Sequence, residues 1–243
     1  MDKLCLVVPV WKRQTLTNHL LSWYHALDIP GVTVTVVVVG SEGAVSRRLA
    51  RGLEYVEASN DLIDRKYDVG IAYAQQFNPD AVCLVGSDDF LTAPYFAWAL
   101  QQVRAEVDLV GLVDLYLVDL PLRRVLYWGG YTGERRGEPI ASGRVYARRI
   151  LDVIDWKPYW APEGYYHMLR DDERSLTRVV QAGGRIRAVN MAHVGCQFWA
   201  LKTGREWNPV TSFESQYPLV EVTPHSWELM ERTVRPDVCH ETA

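Results

Sequence analysis

The chain has 243 residues, 48% of them apolar, and its 26 Lys and Arg against 30 Asp and Glu give a net charge of −4. At about 150 residues per domain, this length allows one large domain or two small ones. No apolar run approaches the about 18 residues that a membrane span needs, and no CxxC pair suggests a cysteine-type zinc site. We expect a cytoplasmic protein without a secretory leader, a membrane contact or bulk affinity for polyanions.

The first hundred residues predict alternating strands and helices. Apolar, β-branched segments are typical of strands in a covered parallel sheet; they lie at 4–10, 32–39 and 81–85, with a shorter strand near 55–56. Helical spacing predicts four helices, at 16–27, 47–53, 65–77 and 94–104. Asp64 is expected to cap the third of these helices, and Pro94 to lie in the first turn of the fourth.

This β-α-β-α order predicts an α/β fold with an open, mostly parallel central sheet and helices on both faces. Ligands of such sheets bind beyond the carboxyl ends of the strands. Three polar segments follow predicted strands, at 11–13, 40–43 and 87–89. We therefore expect the functional site where these segments converge.

After about residue 105 the pattern changes. Strand-like runs at 109–118 and 123–128 predict an antiparallel pair, and a helix is expected from Asp171 to the glycines at 183–184. The last forty residues contain four prolines and predict a wrapping tail or lid. We expect a single domain over 1–243, divided at residues 104 and 199 into two halves and this tail.

Asp88 and Asp89 directly follow a predicted buried strand, at the ligand edge of the sheet. Adjacent carboxylates on a turn suit a hard divalent cation such as Mg²⁺ or Mn²⁺, which takes oxygen ligands and bridges to phosphates. An acidic cap before the helix at Pro94 explains the same residues equally well.

Four segments, in order along the chain, carry a resemblance to a known family. They are VVPVWKR at 7–13, RKYDVGIA at 65–72, GSDD at 86–89 and DDERSLTRVVQAGGRI at 171–186. They resemble the opening strand, the K-x-N-x-G helix, the DSDD metal turn and the ED-x-D-L-x-x-R-L-x-x-A-G-x-x-I stretch of family-2 glycosyltransferases with the GT-A fold. Each match alone is short, and their common order makes the resemblance much stronger.

The resemblance implies an inverting, metal-dependent hexosyl- or pentosyltransferase that uses a nucleotide-diphospho-sugar, with a UDP-sugar as the first candidate. It implies that the half before residue 104 binds this donor and that the following half holds the acceptor. By similarity, Asp88 and Asp89 would hold Mn²⁺ or Mg²⁺. Asp172, with Asp171 beside it, would be the base that takes the proton of the acceptor hydroxyl. An acidic first helical turn is the alternative explanation for this pair.

The resemblance and the strand ends together suggest further site residues. His193 is a candidate third metal ligand, with a hydrogen-bonded structural role as its alternative. Trp11 could stack on the base or pack at a strand end, and Lys66 could reach the diphosphate or lie on a helix surface. The donor-binding candidates are Pro9, Trp11, Arg13, Glu42, Lys66 and Ser87.

An aromatic series and a basic segment lie on the expected acceptor side. The aromatic series consists of Tyr127, Trp128, Trp156, Tyr159, Trp160, Tyr165 and Tyr166, and the basic segment of Arg135, Arg136, Arg144, Arg148 and Arg149. Trp160 and Tyr165 belong to the aromatic series and could stack on a sugar or a base, although most of its members are expected in the core. Arg144 belongs to the basic segment, which could face the donor phosphates or a polyanionic acceptor, or be solvated; we expect Arg144, with Trp160 and Tyr165, on the acceptor. Compact transferases of this kind, including phage-encoded ones, glycosylate proteins, glycans or hydroxymethylated DNA bases, so DNA is one candidate acceptor.

The chain departs from the family pattern at several positions. Gly86 replaces the first aspartate of the metal turn, Val39 and Gly40 replace a DDGS-type segment, and Asp68 replaces an asparagine. Gly86 and Val39 keep a second hypothesis open, a non-catalytic protein that binds a sugar nucleotide or glycan. A nucleotidylyltransferase would need a glycine-rich basic loop after the first strand, and 9–13 contains no glycine.

Overall fold

The computed structural model describes residues 1–160, 171–204 and 208–234, apart from the side chains of residues 171 and 172. The strands are β1 (Asp2–Pro9), β2 (Val32–Gly40), β3 (Glu54–Glu57), β4 (Ala81–Leu84), β5 (Asp89–Leu91), β6 (Leu109–Leu112), β7 (Leu115–Asp119), β8 (Arg124–Trp128), β9 (Val145–Ala147), β10 (Ile186–Val189), β11 (Phe198–Lys202) and β12 (Leu219–Glu221). The helices are α1 (Gln14–His25), α2 (Ala44–Leu49), α3 (Ile63–Ala74), α4 (Ala93–Arg104), α5 (Arg148–Val153), α6 (Asp171–Gln181), α7 (Met191–Val194), α8 (Val210–Glu214) and α9 (His225–Val234).

The larger sheet has the strand order β10-β6-β9-β4-β1-β2-β3. Its neighbouring strands are parallel except at β9, which runs antiparallel to β4 and β6. The predicted α/β class and mostly parallel central sheet are therefore confirmed. One antiparallel strand in the middle of the sheet is the feature that the alternation of elements did not predict.

Helices cover both faces of this sheet, as predicted. On β1, Leu4 and Leu6 join the core on one face, with apolar side chains of α1 and α4. Cys5 and Val7 join the core on the other face, with side chains of α3, α5 and α6. Because successive strand residues point to opposite faces and both faces are covered, β1 is apolar along nearly its whole length.

The smaller sheet has the order β12-β8-β7-β11-β5 and follows the second half of the chain. β7 and β8 form the predicted antiparallel pair, but the predicted strand at 109–118 is wrong as one element. Its first part is β6, which lies in the larger sheet. The strand breaks at Asp114, whose buried carboxylate accepts hydrogen bonds from the amide of Met191 and the hydroxyl of Tyr127.

Two helix predictions need correction. α2 begins three residues before the predicted start at residue 47. Asp64 does not cap α3; it lies inside the first turn, is 2% exposed and forms a salt bridge of 2.8 Å with Arg174. The buried Asp64 carboxylate therefore links α3 to α6 and does not accept hydrogen bonds from the amides at the start of α3.

The predicted tail contains regular structure. β12 pairs with β8, and α9 buries Trp227, Met230 and Val234 in the main core. In residues 1–160, 171–204 and 208–234, no helix is long and apolar enough to span a membrane.

Candidate functional site

β1 and β4 are neighbours in the sheet, and the chain leaves them in opposite directions. From β1 it continues outward to β2 and β3, and it then returns to β4 on the other side of β1. Such a switch point opens a crevice outside the carboxyl ends of the two strands, where ligands of doubly wound sheets bind. The segments 11–13 and 86–89 follow these two strands and lie at this crevice.

Asp88 is the centre of a cluster of charged side chains at the crevice. Its Oδ2 lies 3.2 Å from Arg13 Nη1 and 2.7 Å from Lys202 Nζ. Arg13 also donates from Nη2 to the hydroxyl of Ser87 at 2.7 Å. Arg13 and Lys12 both have left-handed backbone conformations, with φ of 45° and 54°. This conformation costs free energy for residues other than glycine, and residues held in it are often found at functional sites.

Lys202 was not predicted from the sequence. It is the last residue of β11, which pairs with β5 so that Ala200 lies opposite Asp89. The amide of Leu201 donates to the carbonyl of Asp88 at 2.8 Å, so the backbone also brings Lys202 to the metal-turn segment. The available signal was a lysine at the end of the apolar run FWAL, which is typical of a strand ending at a polar edge.

The cluster determines the charge states of its members. Burial alone would raise the pKa of Asp88, but the Lys202 ammonium and the Arg13 guanidinium hold it below its ordinary value. Burial alone would lower the pKa of Lys202, but the carboxylates of Asp88 and Asp89 hold it above its ordinary value. Asp88 and Lys202 are therefore a charged pair at neutral pH.

Asp89 lies beside this pair, and its pKa is shifted in the opposite direction to that of Asp88. Burial, and then the negative charge of Asp88, raise the pKa of Asp89 to about 6, while a hydrogen bond with Ser142 acts in the opposite direction. Its carboxylate turns back over Gly86, where a Cβ would lie 2.2 Å from Asp89 Oδ2. A side chain at residue 86 would therefore require the Asp89 carboxylate to move.

The described side chains at this site do not fit a divalent cation. Asp88 already holds two side-chain cations, and the place of a further carboxylate at residue 86 is filled by Asp89. His193 is exposed and its described ring contact is with Trp98, at 6.4 Å between centroids. Within the described part of the chain, no group of three or more His, Cys, Asp or Glu residues could hold a metal ion.

Lys66 lies on α3 beneath the crevice, and the helix-surface alternative for it is wrong. It is 1% exposed and its Nζ donates to the carbonyl of Val10 at 2.7 Å, to Ser41 Oγ at 2.9 Å and to Asn60 Oδ1 at 3.1 Å. Burial lowers the pKa of Lys66 to about 8, although Glu42 acts in the opposite direction. Lys66 therefore connects the segments that follow β1, β2 and β3.

The other predicted donor-binding residues are also at these strand ends. Pro9 is buried at the end of β1 and pairs with Val39. Glu42 Oε2 accepts from the amide of Lys12 at 2.7 Å, which joins the segments after β1 and β2. Trp11 is 43% exposed, with Lys12 Nζ 4.1 Å from its ring centroid, so its face is partly available at the crevice.

The predicted base residues begin α6. The structure describes this helix from Asp171 onward, but the side chains of Asp171 and Asp172 lie outside the described atoms. The next residues anchor the helix: Arg174 pairs with buried Asp64, and Ser175 Oγ accepts from Arg144 Nη1 at 2.6 Å.

Arg144 has a supporting place in the structure. It is fully buried, and it also donates to the carbonyl of Pro139 at 2.8 Å. Contact with an acceptor, as the sequence predicted, would require these bonds to break. Trp160 is 47% exposed, with the Arg178 guanidinium 5.3 Å from its ring centroid, and Tyr165 lies outside the described residues.

Most of the aromatic series and the basic segment have structural partners. Trp128, Trp156 and Tyr159 are buried in the core, as the alternative explanation expected. In the basic segment, Arg135 pairs with Glu138 and Glu173, Arg148 with Asp152, and Arg149 with Asp108. These arginines therefore face carboxylates of the same chain.

Solved structures with a similar fold exist, although no family model and no curated protein matches the chain. TarS of S. aureus in complex with UDP-GlcNAc matches with a TM-score of 0.59 and 15% identity, over 98% of this chain and 67% of that one. The mannosyltransferase PcManGT of Pyrobaculum calidifontis, in complex with GDP-Man and Mn²⁺, matches with a TM-score of 0.58 and 14% identity, over 84% and 58%. The match to another structure of TarS 1-349 covers 60% of the TarS chain.

A synthetase of another reaction class also matches. The CMP:2-keto-3-deoxy-manno-octonic acid synthetase in complex with CTP has a TM-score of 0.52 and 14% identity, over 95% of this chain and 99% of that one. At these identities the likenesses show the fold alone. The chain has a GT-A-like fold, and its crevice lies at the switch point of that fold.

Proposed function

We propose that the protein is a glycosyltransferase that moves a sugar from a nucleotide-diphospho-sugar to an acceptor hydroxyl, with inversion at the anomeric carbon. One observation carries the proposal: Arg13 and Lys202 meet at Asp88, outside the carboxyl ends of β1 and β4 of a GT-A-like fold. Basic side chains at a switch point suit the diphosphate of such a donor. UDP-sugars are the first donors to test, because TarS was crystallised with UDP and UDP-GlcNAc.

The proposed reaction assigns the base to α6. Asp172, at the start of this helix, takes the proton of the acceptor hydroxyl as its oxygen bonds to the anomeric carbon. The bond from that carbon to the diphosphate breaks, and its electron pair leaves with the diphosphate oxygen. The bonds of Arg174 and Ser175 to Asp64 and Arg144 support this proposal, because they hold the helix start in one position.

The resemblance also predicts Mn²⁺ or Mg²⁺ at Asp88, Asp89 and His193. The manganese ion in the mannosyltransferase complex supports a metal in enzymes of this fold. In this protein Asp88 already pairs with the side-chain cations of Arg13 and Lys202, and this arrangement does not fit a metal ion. Metal dependence is therefore not part of this proposal, and the comparison of Mn²⁺ with EDTA below tests it.

The acceptor is proposed only by class: a protein, a glycan or a hydroxymethylated DNA base.

The second hypothesis, a non-catalytic protein that binds sugar nucleotides, predicts donor binding without turnover. Nucleotidyl transfer is a third candidate, favoured by the likeness to the synthetase over nearly the full length of both chains. The segment 9–13 lacks glycine and therefore does not favour nucleotidyl transfer. Release of pyrophosphate from CTP in the presence of a sugar acid would support this third candidate.

A donor screen tests the proposal. Binding and hydrolysis of UDP-, GDP-, CMP- and dTDP-sugars are measured with Mn²⁺ or with EDTA, for the wild type, Asp88→Ala and Asp172→Asn. We expect one donor to bind to the wild type and Asp172→Asn to bind it equally but to turn it over about 10²–10⁴-fold more slowly, because a positioned base contributes a factor of that size.

Asp152→Asn is the matched control, since Asp152 is an exposed carboxylate on α5, paired with Arg148. Turnover that survives Asp172→Asn would remove the assigned base. Binding without turnover in any variant would favour the non-catalytic hypothesis, and no binding of any donor would end the proposal.

A further inference from the structure

Lys202 is held at the crevice by backbone and side-chain contacts from separate strands. Its carbonyl accepts from the amide of Leu120 at 3.0 Å, next to the end of β7, and the preceding amide of Leu201 donates to Asp88. Lys202 is 7% exposed, and its ammonium is 2.7 Å from Asp88 Oδ2. A lysine is costly to bury unless its charge is paired, and here the pairing also sets its position.

The cluster brings two positively charged side chains together in the crevice. Arg13 and Lys202 both contact the same oxygen of Asp88, so two cations share one carboxylate oxygen. The neighbouring carboxylate of Asp89 turns away to Ser142 and over Gly86. The ammonium and the guanidinium therefore lie close together in the crevice outside the ends of β1 and β4, and both are placed to contact one anion there.

We propose that the Lys202 ammonium, with the Arg13 guanidinium, takes the place of the divalent cation on the donor diphosphate, and that Asp88 is the residue that positions both. This inference rests on the proposed function. When the bond from the anomeric carbon to the diphosphate oxygen breaks, that oxygen keeps the electron pair. The two side-chain cations stabilise the charge that forms there. The reaction then needs no added metal ion.

The experiment measures binding of UDP and GDP, each against its own nucleoside, by isothermal titration calorimetry with Mn²⁺ or with EDTA. The variants are Lys202→Met, Lys202→Arg and the control Lys3→Met, an exposed lysine near the start of β1. We expect the wild type to bind its diphosphate equally under both conditions. Lys202→Met should weaken that binding about 10- to 100-fold, since hydrogen bonds between charged groups have this effect.

Further readouts separate a phosphate contact from a structural role. Lys202→Met should leave nucleoside binding unchanged, Lys202→Arg should restore part of the diphosphate affinity, and Lys3→Met should change neither. Circular dichroism checks that each variant folds, and the EDTA comparison on the wild type tests the proposal even if Lys202→Met does not fold.

Binding of the diphosphate only with Mn²⁺ would overturn the inference and leave the proposed transferase in place. Equal weakening of nucleoside and diphosphate by Lys202→Met would also overturn it, because that pattern is the result of a disturbed fold. If no nucleotide binds under either condition, the proposed function fails, and this inference fails with it.

Discussion

The carboxyl group of Asp68, at a position where the resemblance expects asparagine, is 8% exposed on α3. Its Oδ1 accepts from the amide of Tyr159 at 2.9 Å. Burial, opposed by this hydrogen bond and assisted by the charge of Asp64, raises the pKa of Asp68 to about 7. A buried carboxylate with this pKa destabilises the folded state at neutral pH, where it must ionise.

The sign of this effect follows from proton binding. Because the pKa of Asp68 is higher in the folded than in the unfolded chain, the folded state holds the proton more tightly. Stability falls as the pH rises from about 4 to about 7 and stays low above that range. We expect Asp68→Asn to remove this pH dependence. At pH 8 it should raise the unfolding free energy by about 1–3 kcal/mol, less than the roughly 4 kcal/mol between pKa values of 4 and 7.

Urea unfolding at pH 4.5 and pH 8 measures the difference. Asp28→Asn, at an exposed carboxylate between α1 and β2, is the control and should show little change at either pH. An Asp68→Asn variant that is less stable than the wild type at pH 8 would contradict the prediction, since it would show that the ionised carboxylate is the favourable form.

Single residues also show where sequence interpretation fails. Lys66 could be placed on α3 from the sequence, but its three oxygen acceptors come from three separate segments of the chain. Lys202 lies 114 residues from its partner Asp88. Neither spacing nor residue type indicates such partners, because the sheet brings them together only after folding.

At the scale of elements, α3 packs closely on β1 and β2 through Gly70. A Cβ at this position would lie 2.4 Å from Val39 Cγ2 and 2.5 Å from Val7 Cγ1. The glycine therefore lets the helix approach the sheet, and this approach brings Lys66 under the strand ends.

We expect Gly70→Ala to destabilise the protein by about 1–3 kcal/mol, because overpacking of the core exceeds the about 1 kcal/mol that alanine gains over glycine in a helix. It should also weaken donor binding, since α3 carries Lys66. Val69→Ala on the same helix, at a 38% exposed position, is the control. Thermal unfolding and donor titration measure both effects, and a more stable Gly70→Ala would show that the close approach is not required.

At the scale of the whole molecule, the two sheets and the C-terminal segment share one core. Side chains of α9 pack in the same cluster as those of β1, α1 and β8, and His19 Nε2 lies 2.6 Å from the carbonyl of Val234. This packing gives residues 225–234 a structural role, while the division of the chain into one domain with a tail stays a prediction.

We expect Met230→Ala to lower the unfolding free energy by about 2–4 kcal/mol, as for other buried methionines, because Met230 is fully buried. Differential scanning calorimetry should still record a single transition for the wild type and the variant. The control is Glu228→Ala, an exposed residue of the same helix. Two separate transitions, or a variant as stable as the wild type, would contradict a shared core.

The sequence by itself determined the α/β class and the edge of the sheet at which its polar segments meet. Apolar runs at β1, β2 and β4 predict buried parallel strands because burial on both faces requires continuous apolar residues. The polar segments that follow them predict the ligand edge, since carboxyl ends of parallel strands meet on one side. The fold and the crevice follow from these local patterns.

Only the tertiary structure decided which charges meet in the crevice. The antiparallel strand β9, the separation of β6 from β7, the side-chain cations on Asp88 and the space that Asp89 takes over Gly86 all depend on contacts between distant segments. Such contacts form because burial of the core brings separate strands together, and their electrostatic energy depends on distances that spacing along the chain does not contain.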